Sequence, residues 1–271
     1  LATATLTFIG AGNMAASILG GLLASGYPAT SLRAADPLPA SHERLRQLGD
    51  LALYSDNAEA CTGSDVVVLA VKPQIMDQAM AEIREAVAST GALVISIAAG
   101  TTLGTIQAAL GEQTPVVRCM PNTPALVGAG ATALYASPQV SSAQRKLAET
   151  VLGAVGITRW VPRETDLDAA TALSGSGPAY FFLFTEAMIN AACDMGLDRE
   201  TATALAQQTA LGAARMALEG DADLMELRRR VTSPGGTTER AVECFEHEGL
   251  RELVNHAMDA ARQRAEEMGA S

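Results

Sequence analysis

Thr5-Leu6-Thr7-Phe8-Ile9-Gly10-Ala11-Gly12-Asn13-Met14-Ala15 is the stretch that decides the fold. Leu6, Phe8 and Ile9 read as a short apolar strand that runs into a G-x-G-x-x-G/A turn, the opening of a dinucleotide-binding βαβ unit. The first glycine lets the strand turn sharply. The second carries no Cβ, so a pyrophosphate can lie against the backbone. The third small residue, Ala15, lets the following helix pack close to the strand. The N-terminus of that helix offers unpaired N–H groups and the positive end of a dipole to an anion. A tight strand-to-helix turn selects glycine even without a ligand. Here the flanks are the required ones: an apolar strand before, a helical run over Met14–Ser25 after, and Gly26 as its stop.

Strands and helices alternate outward from this turn to about residue 160. The pattern predicts helix Met14–Ser25, strand Leu32–Ala35, helix Ser41–Leu48 and strand Leu51–Tyr54. Ser64–Val71 is a continuous apolar run, as in a strand buried on both faces of a parallel sheet. Helix Met76–Ala88, strand Ala92–Ala98, helix Thr102–Leu110 and strand Val116–Met120 continue the series. Strand Ala131–Tyr135, helix Ser141–Val151 and strand Ile157–Val161 close it. The expected first domain, residues 1–162, is therefore an α/β doubly wound, Rossmann-type sheet with helices on both faces.

Beyond Pro162 strand signals stop. Residues 163–271 read as an all-α domain, with helices Asp166–Ser174, Pro178–Met195, Arg199–Glu219, Asp223–Val231, Thr237–His247 and Gly249–Met268. Tyr180, Phe181, Phe182, Leu183 and Phe184 make one of these helices apolar nearly all round, and such a helix has to be buried on every side. A small helical domain cannot do that alone, so burial in a dimer is expected.

The chain has 271 residues, 48% of them apolar and 4% aromatic, with a net charge of −11. The acidity argues against nucleic acid or an anionic membrane as partner. Cys61, Cys119, Cys193 and Cys244 are scattered without metal-ligand spacing, which fits a reduced, cytoplasmic protein and no metal site. No run reaches the length of a membrane span, and the first strand begins without a basic leader.

In open α/β sheets ligands bind beyond the carboxyl ends of the strands. Ala35-Asp36-Pro37 follows the second strand. Asp36 can bind a ribose 2′-OH, or Ala35 can occupy that place with Asp36 turned outward, or Asp-Pro can be a plain turn. Lys72, one of only two lysines, follows the long apolar strand, either as a phosphate or ribose contact or as a solvated loop residue. Ser96–Gly100 offers small residues to a flat ring, and Arg118–Pro124 carries two prolines, suiting a wall behind a nicotinamide or a stiff connector. In the helical half, Val231–Glu239 (VTSPGGTTE) combines two glycines with hydroxyls entering a helix. It can form a nest for a carboxylate, or Ser233 and Thr237 can be ordinary caps. Reducing a carbonyl or oxidising an alcohol requires a proton-transfer group, commonly His or Lys. No lysine follows Lys146, and Tyr180 has Phe184 rather than Lys four residues on. A substrate that already carries its proton, such as an iminium ion, suits this inventory, with Glu164 or Asp168 as a remaining proton source.

Together FIGAGNMA (8–15), AVKPQ (70–74), SIAAG (96–100), RCMPNTPA (118–125), LSGSGPAY (173–180) and VTSPGGTT (231–238) resemble the Δ1-pyrroline-5-carboxylate reductase family over nearly the whole chain. The resemblance implies reduction of the cyclic imine to L-proline with NAD(P)H, the last step of proline biosynthesis. It implies a Rossmann domain followed by a dimerisation domain like that of phosphogluconate dehydrogenases. It assigns Gly10, Ala11, Gly12, Asn13 and Met14 to the pyrophosphate, and Ala35, Asp36 and Asn57 to the adenosine ribose. Ala70, Val71, Lys72 and Pro73, then Ala98, Ala99 and Gly100, with Met120 and Pro121, fall to the nicotinamide half. Ser233, Gly236, Thr237 and Thr238 would hold the substrate carboxylate. Thr238, as the catalytic residue, would also bind the ring nitrogen, with Glu164 at the substrate's edge. Asp36 makes NADH an alternative to NADPH, and Arg230 would compensate from the partner chain or stand as a solvated charge in the run Arg228–Arg230. Interlocked homodimers, further assembled into decamers, are the arrangement implied.

Overall fold

The computed structural model describes residues 3–270. Its centre is an eight-stranded sheet in the order β3-β2-β1-β4-β5-β6-β7-β8. The strands are β1 (Leu6–Ile9), β2 (Leu32–Ala35), β3 (Ala52–Tyr54), β4 (Val66–Leu69), β5 (Leu93–Ser96), β6 (Val116–Met120), β7 (Gly130–Ala136) and β8 (Gly156–Trp160). Helices α1 (Asn13–Ala24), α2 (Pro39–Arg46), α3 (Asn57–Cys61), α4 (Met76–Thr90), α5 (Leu103–Leu110) and α6 (Ser142–Gly153) connect them. The order reverses between β1 and β4, which is the switch point where such sheets take ligands.

Alternation along the strands builds two cores. Leu6 and Phe8 of β1, with Val66 and Val68 of β4, face Ile18, Leu19 and Leu22 of α1. Ile9, Val67 and Leu69 face the other way, onto Met76, Met80 and Ile83 of α4. The apolar run of β4 is thus read from both sides, and all four of its residues are buried.

Two features differ from the simple alternation. β7 runs antiparallel to β6, with Val117 opposite Ala136 and Met120 opposite Ala133. Only the short 3-10 turn Thr123–Val127 joins the two strands, too little for a parallel crossover. α3 is an unexpected helix of five residues; Asp56 caps it by accepting the Glu59 N–H at 2.7 Å.

The helical part comprises α7 (Asp166–Ala170), continued by a π-turn over Thr171–Gly175, then α8 (Gly177–Asp194), α9 (Arg199–Glu219), α10 (Leu224–Arg230), α11 (Thr237–His247) and α12 (Leu250–Ala270). Contacts divide the chain into two compact units. One extends to Ser176 and takes in the end of α12 from Ala261; the other is Gly177–Ala260. In the second unit α8 leaves Phe181 75% and Phe182 71% exposed. Among the described residues, no helix is long and apolar enough to cross a membrane.

Candidate active site

At the switch point the glycine turn, the β2 and β4 loops and α3 enclose a groove of about 570 Å³. Gly10, Ala11, Gly12, Ala35, Asp36, Asn57, Ala70, Val71 and Lys72 line it together. Asn13 and Met14 open α1 directly after Gly12, and Pro73 follows Lys72. Gly10 has φ +93°, a backbone conformation that side chains oppose. A Cβ on it would come within 2.8 Å of the Ala70 carbonyl. Gly12 has the opposite character: a Cβ there would meet nothing within 4 Å. No side chain caps α1, and its first turn holds no acid. An open cradle beneath an uncapped helix N-terminus fits a dinucleotide pyrophosphate.

After β2, Asp36 faces inward, toward the glycine turn. Its Oδ2 accepts the Ala11 N–H at 3.0 Å and its Oδ1 accepts the Leu38 N–H at 2.9 Å. The second bond is an Asx turn; the first ties the β2 loop to the glycine turn. His42 Nε2 lies 2.7 Å from the Asp36 carbonyl and 3.0 Å from that of Tyr54. Two acceptors require the ring to donate from Nε2, so this histidine fastens the loop. Asn57 donates to Glu82 at 2.6 Å across the groove wall. Arg44 on α2 reaches the Ala11 carbonyl and the Asn13 amide oxygen; the sequence reading passed over it.

A second, smaller pocket of about 180 Å³ lies beyond β5 and β6. Ala98, Ala99, Gly100 and Met120 line it, apart from the groove that holds Ala70, Val71 and Lys72, while Pro121 is buried beside it in sequence. The other walls are Arg118, Asp168, Thr171 and Ser176, with Arg264 and Met268 from the end of α12. Gly100 packs against α12, where a Cβ would come 3.0 Å from the Met268 carbonyl. Glu164 is drawn away from a free position: its Oε1 pairs with Arg118 and accepts the Leu103 N–H at 2.7 Å. Burial pushes the Asp168 carboxyl above its ordinary range; Arg118 opposes this, while Glu266 and Glu164 add to it. Arg118 was within reach of sequence reasoning as a lone cation in an apolar strand. α12 was not, because nothing local marks a helix end for a distant loop.

The loop Val231–Glu239 stands in the second unit. Gly236 is the N-cap of α11 and no side chain caps that helix, so Ser233 and Thr237 do not serve as caps. Gly235 turns at φ +71° and donates its N–H to Glu239 at 2.7 Å. Ser233 and Thr237 are exposed, Gly236 and Thr238 half-buried. Arg230 is tied to Glu226 at 2.9 Å.

Comparison with known proteins agrees along the whole chain. Residues 164–268 match the family model described as pyrroline-5-carboxylate reductase dimerisation. Residues 5–100 match one described as NADP oxidoreductase, coenzyme F420-dependent. The pyrroline-5-carboxylate reductase of Pseudomonas aeruginosa is 51% identical over 270 residues, covering 99% of this chain and 98% of that protein. A solved pyrroline-5-carboxylate reductase from Coxiella burnetii superposes with TM-score 0.96 at 44% identity, over 98% of this chain and 99% of that one. The Plasmodium falciparum pyrroline carboxylate reductase with NADP bound gives TM-score 0.84 at 31% identity, covering 98% of each chain. With its glycine turn, its apolar helical unit and these full-length likenesses, the chain belongs to the pyrroline-5-carboxylate reductase family.

Proposed function

We propose that this protein reduces Δ1-pyrroline-5-carboxylate to L-proline with NADPH, as the last step of proline biosynthesis. The observation that carries the reading is the groove at the switch point, open over Gly12 and closed behind by Gly10. The residues from Gly10 to Met14 would hold the pyrophosphate; Ala35, Asp36 and Asn57 the adenosine ribose; Ala70 to Pro73, Ala98 to Gly100, Met120 and Pro121 the nicotinamide half. Bound there, a reduced nicotinamide would supply a hydride to the imine carbon. The π electron pair of the C=N bond would pass to nitrogen, which already carries its proton, so that a neutral amine results. Thr238 orients that nitrogen by its hydroxyl, and Ser233, Gly236 and Thr237 hold the carboxylate at the N-terminus of α11. Glu164 acts through Arg118, which it fixes at the pocket wall. Arg230, paired with Glu226 on the exposed face of α10, would reach the cofactor from the partner chain. Oxidation of NADPH on addition of the cyclic imine, and no reduction of NADP⁺ with β-hydroxy acids, tests the reading.

The working form is a homodimer, itself able to assemble into decamers, and cytoplasmic. We divide the chain into a cofactor domain over 1–162 and a substrate and dimerisation domain over 163–271. Exposed Phe181 and Phe182 support the dimer, since an aromatic face this open is rarely left to water. Phe181→Glu combined with Phe182→Glu gives monomers in sedimentation velocity and loses turnover. A double variant that sediments as the parent would place the interface elsewhere.

A further inference from the structure

We infer that Arg44 recognises the 2′-phosphate of NADPH and sets the preference for that cofactor over NADH. The inference rests on the reading of the groove as a nicotinamide-dinucleotide site. In such folds an acid at the end of the second strand binds the ribose 2′-OH, whereas a nearby arginine accommodates a 2′-phosphate. This chain has the acid, Asp36, whose two oxygens each accept one backbone N–H, from Ala11 and Leu38, which holds the carboxylate against the glycine turn. The cation comes from the next helix. Ser41 of α2 lines the groove, and Arg44, one turn on, shares its face.

The Arg44 guanidinium is held by two neutral acceptors, the Ala11 carbonyl and the Asn13 amide oxygen at 2.9 Å. Its Nε is buried and has no partner. Asp36 and Arg44 therefore meet at the same residue, one on the N–H of Ala11 and the other on its carbonyl, at the ribose end of the turn. A guanidinium fixed by neutral groups keeps its full charge for an incoming anion, and its planar fork matches phosphate oxygens. Lys72, the basic residue among those lining the groove, stands on the β4 loop, on the other side of β1 from Asp36 and α2.

Equilibrium binding of NADPH, NADH, 2′,5′-ADP and ADP to the full chain, by titration calorimetry, tests this. For Arg44→Gln the expected result is about 10- to 100-fold weaker binding of NADPH and 2′,5′-ADP, from loss of a charge-assisted contact. NADH and ADP should change by less than about threefold, and their retained binding reports a folded groove. Arg44→Lys should fall between, keeping the charge without the fork. Equal losses for NADPH and NADH would overturn the assignment in favour of the pyrophosphate or of a structural role, and so would no loss at all. If the parent chain bound none of the four, the dinucleotide reading itself would fail.

Discussion

Thr238→Ala lowers turnover of Δ1-pyrroline-5-carboxylate by about 10²- to 10³-fold, in the range for loss of a group that acts on a proton or its nitrogen, while NADPH affinity stays nearly unchanged. The expectation follows from where the residue sits. Thr238 is in the first turn of α11, whose N-cap is Gly236 and whose end no side chain closes. Its hydroxyl is not spent on holding the helix together. On the proposed reading, removing it costs an interaction with substrate, not a cap, and the melting temperature should move little. The inventory of the site makes the loss large. His247 and His256 are exposed in the second unit, and Lys146 is the last lysine in the chain. Thr238→Ser should restore most of the rate, because it returns the hydroxyl without the methyl. Unchanged turnover in the alanine variant would remove Thr238 from the mechanism.

The second large effect separates the two glycines of the turn. Gly10→Ala should destabilise the chain by about 2–4 kcal/mol, as forced strain at a left-handed position does, and weaken NADPH binding at the same time. Its Cβ would lie 2.8 Å from the Ala70 carbonyl oxygen and 2.9 Å from Val71 Cγ1. Both neighbours belong to the groove wall, so the fold and the site yield together. Gly12→Ala should behave differently. Its φ of −68° suits any residue, and its Cβ would point into open space. Thermal unfolding should match the parent, whereas NADPH affinity falls by about 100-fold because the methyl occupies the phosphate's place. If Gly12→Ala bound NADPH as the parent does, the pyrophosphate would not lie on this turn.

How far the sequence could be read depended on whether the information was local. β4 is Val66–Leu69 with every side chain buried, and the run Ser64–Val71 declares it by having no polar face. β1 and its turn were legible because chemistry fixes each position: glycine where φ is positive, a small residue where helix meets strand. α3 was missed because five residues show no helical period, though Asp56 three positions before Glu59 carries a capping signal. The reversal of β7 depends on the absence of a crossover helix, which a propensity reading does not weigh. Arg44 was hidden among Glu43, Arg44 and Arg46, charges that look like a solvated helix face. The wall that α12 gives to the pocket of Gly100 depends on contacts between residues far apart in the chain. That kind of proximity is set by packing and leaves no local mark. The family resemblance assigns VTSPGGTT to the substrate, where spacing alone left that role balanced against capping.

The measurement that bears most directly on the whole account is oxidation of NADPH by the purified chain on addition of Δ1-pyrroline-5-carboxylate, with L-proline assayed as product and NADH run in parallel. The account predicts stoichiometric L-proline, turnover with both cofactors, and a higher kcat/KM with NADPH. Absence of L-proline with either cofactor, in protein shown to bind NADPH, would contradict it.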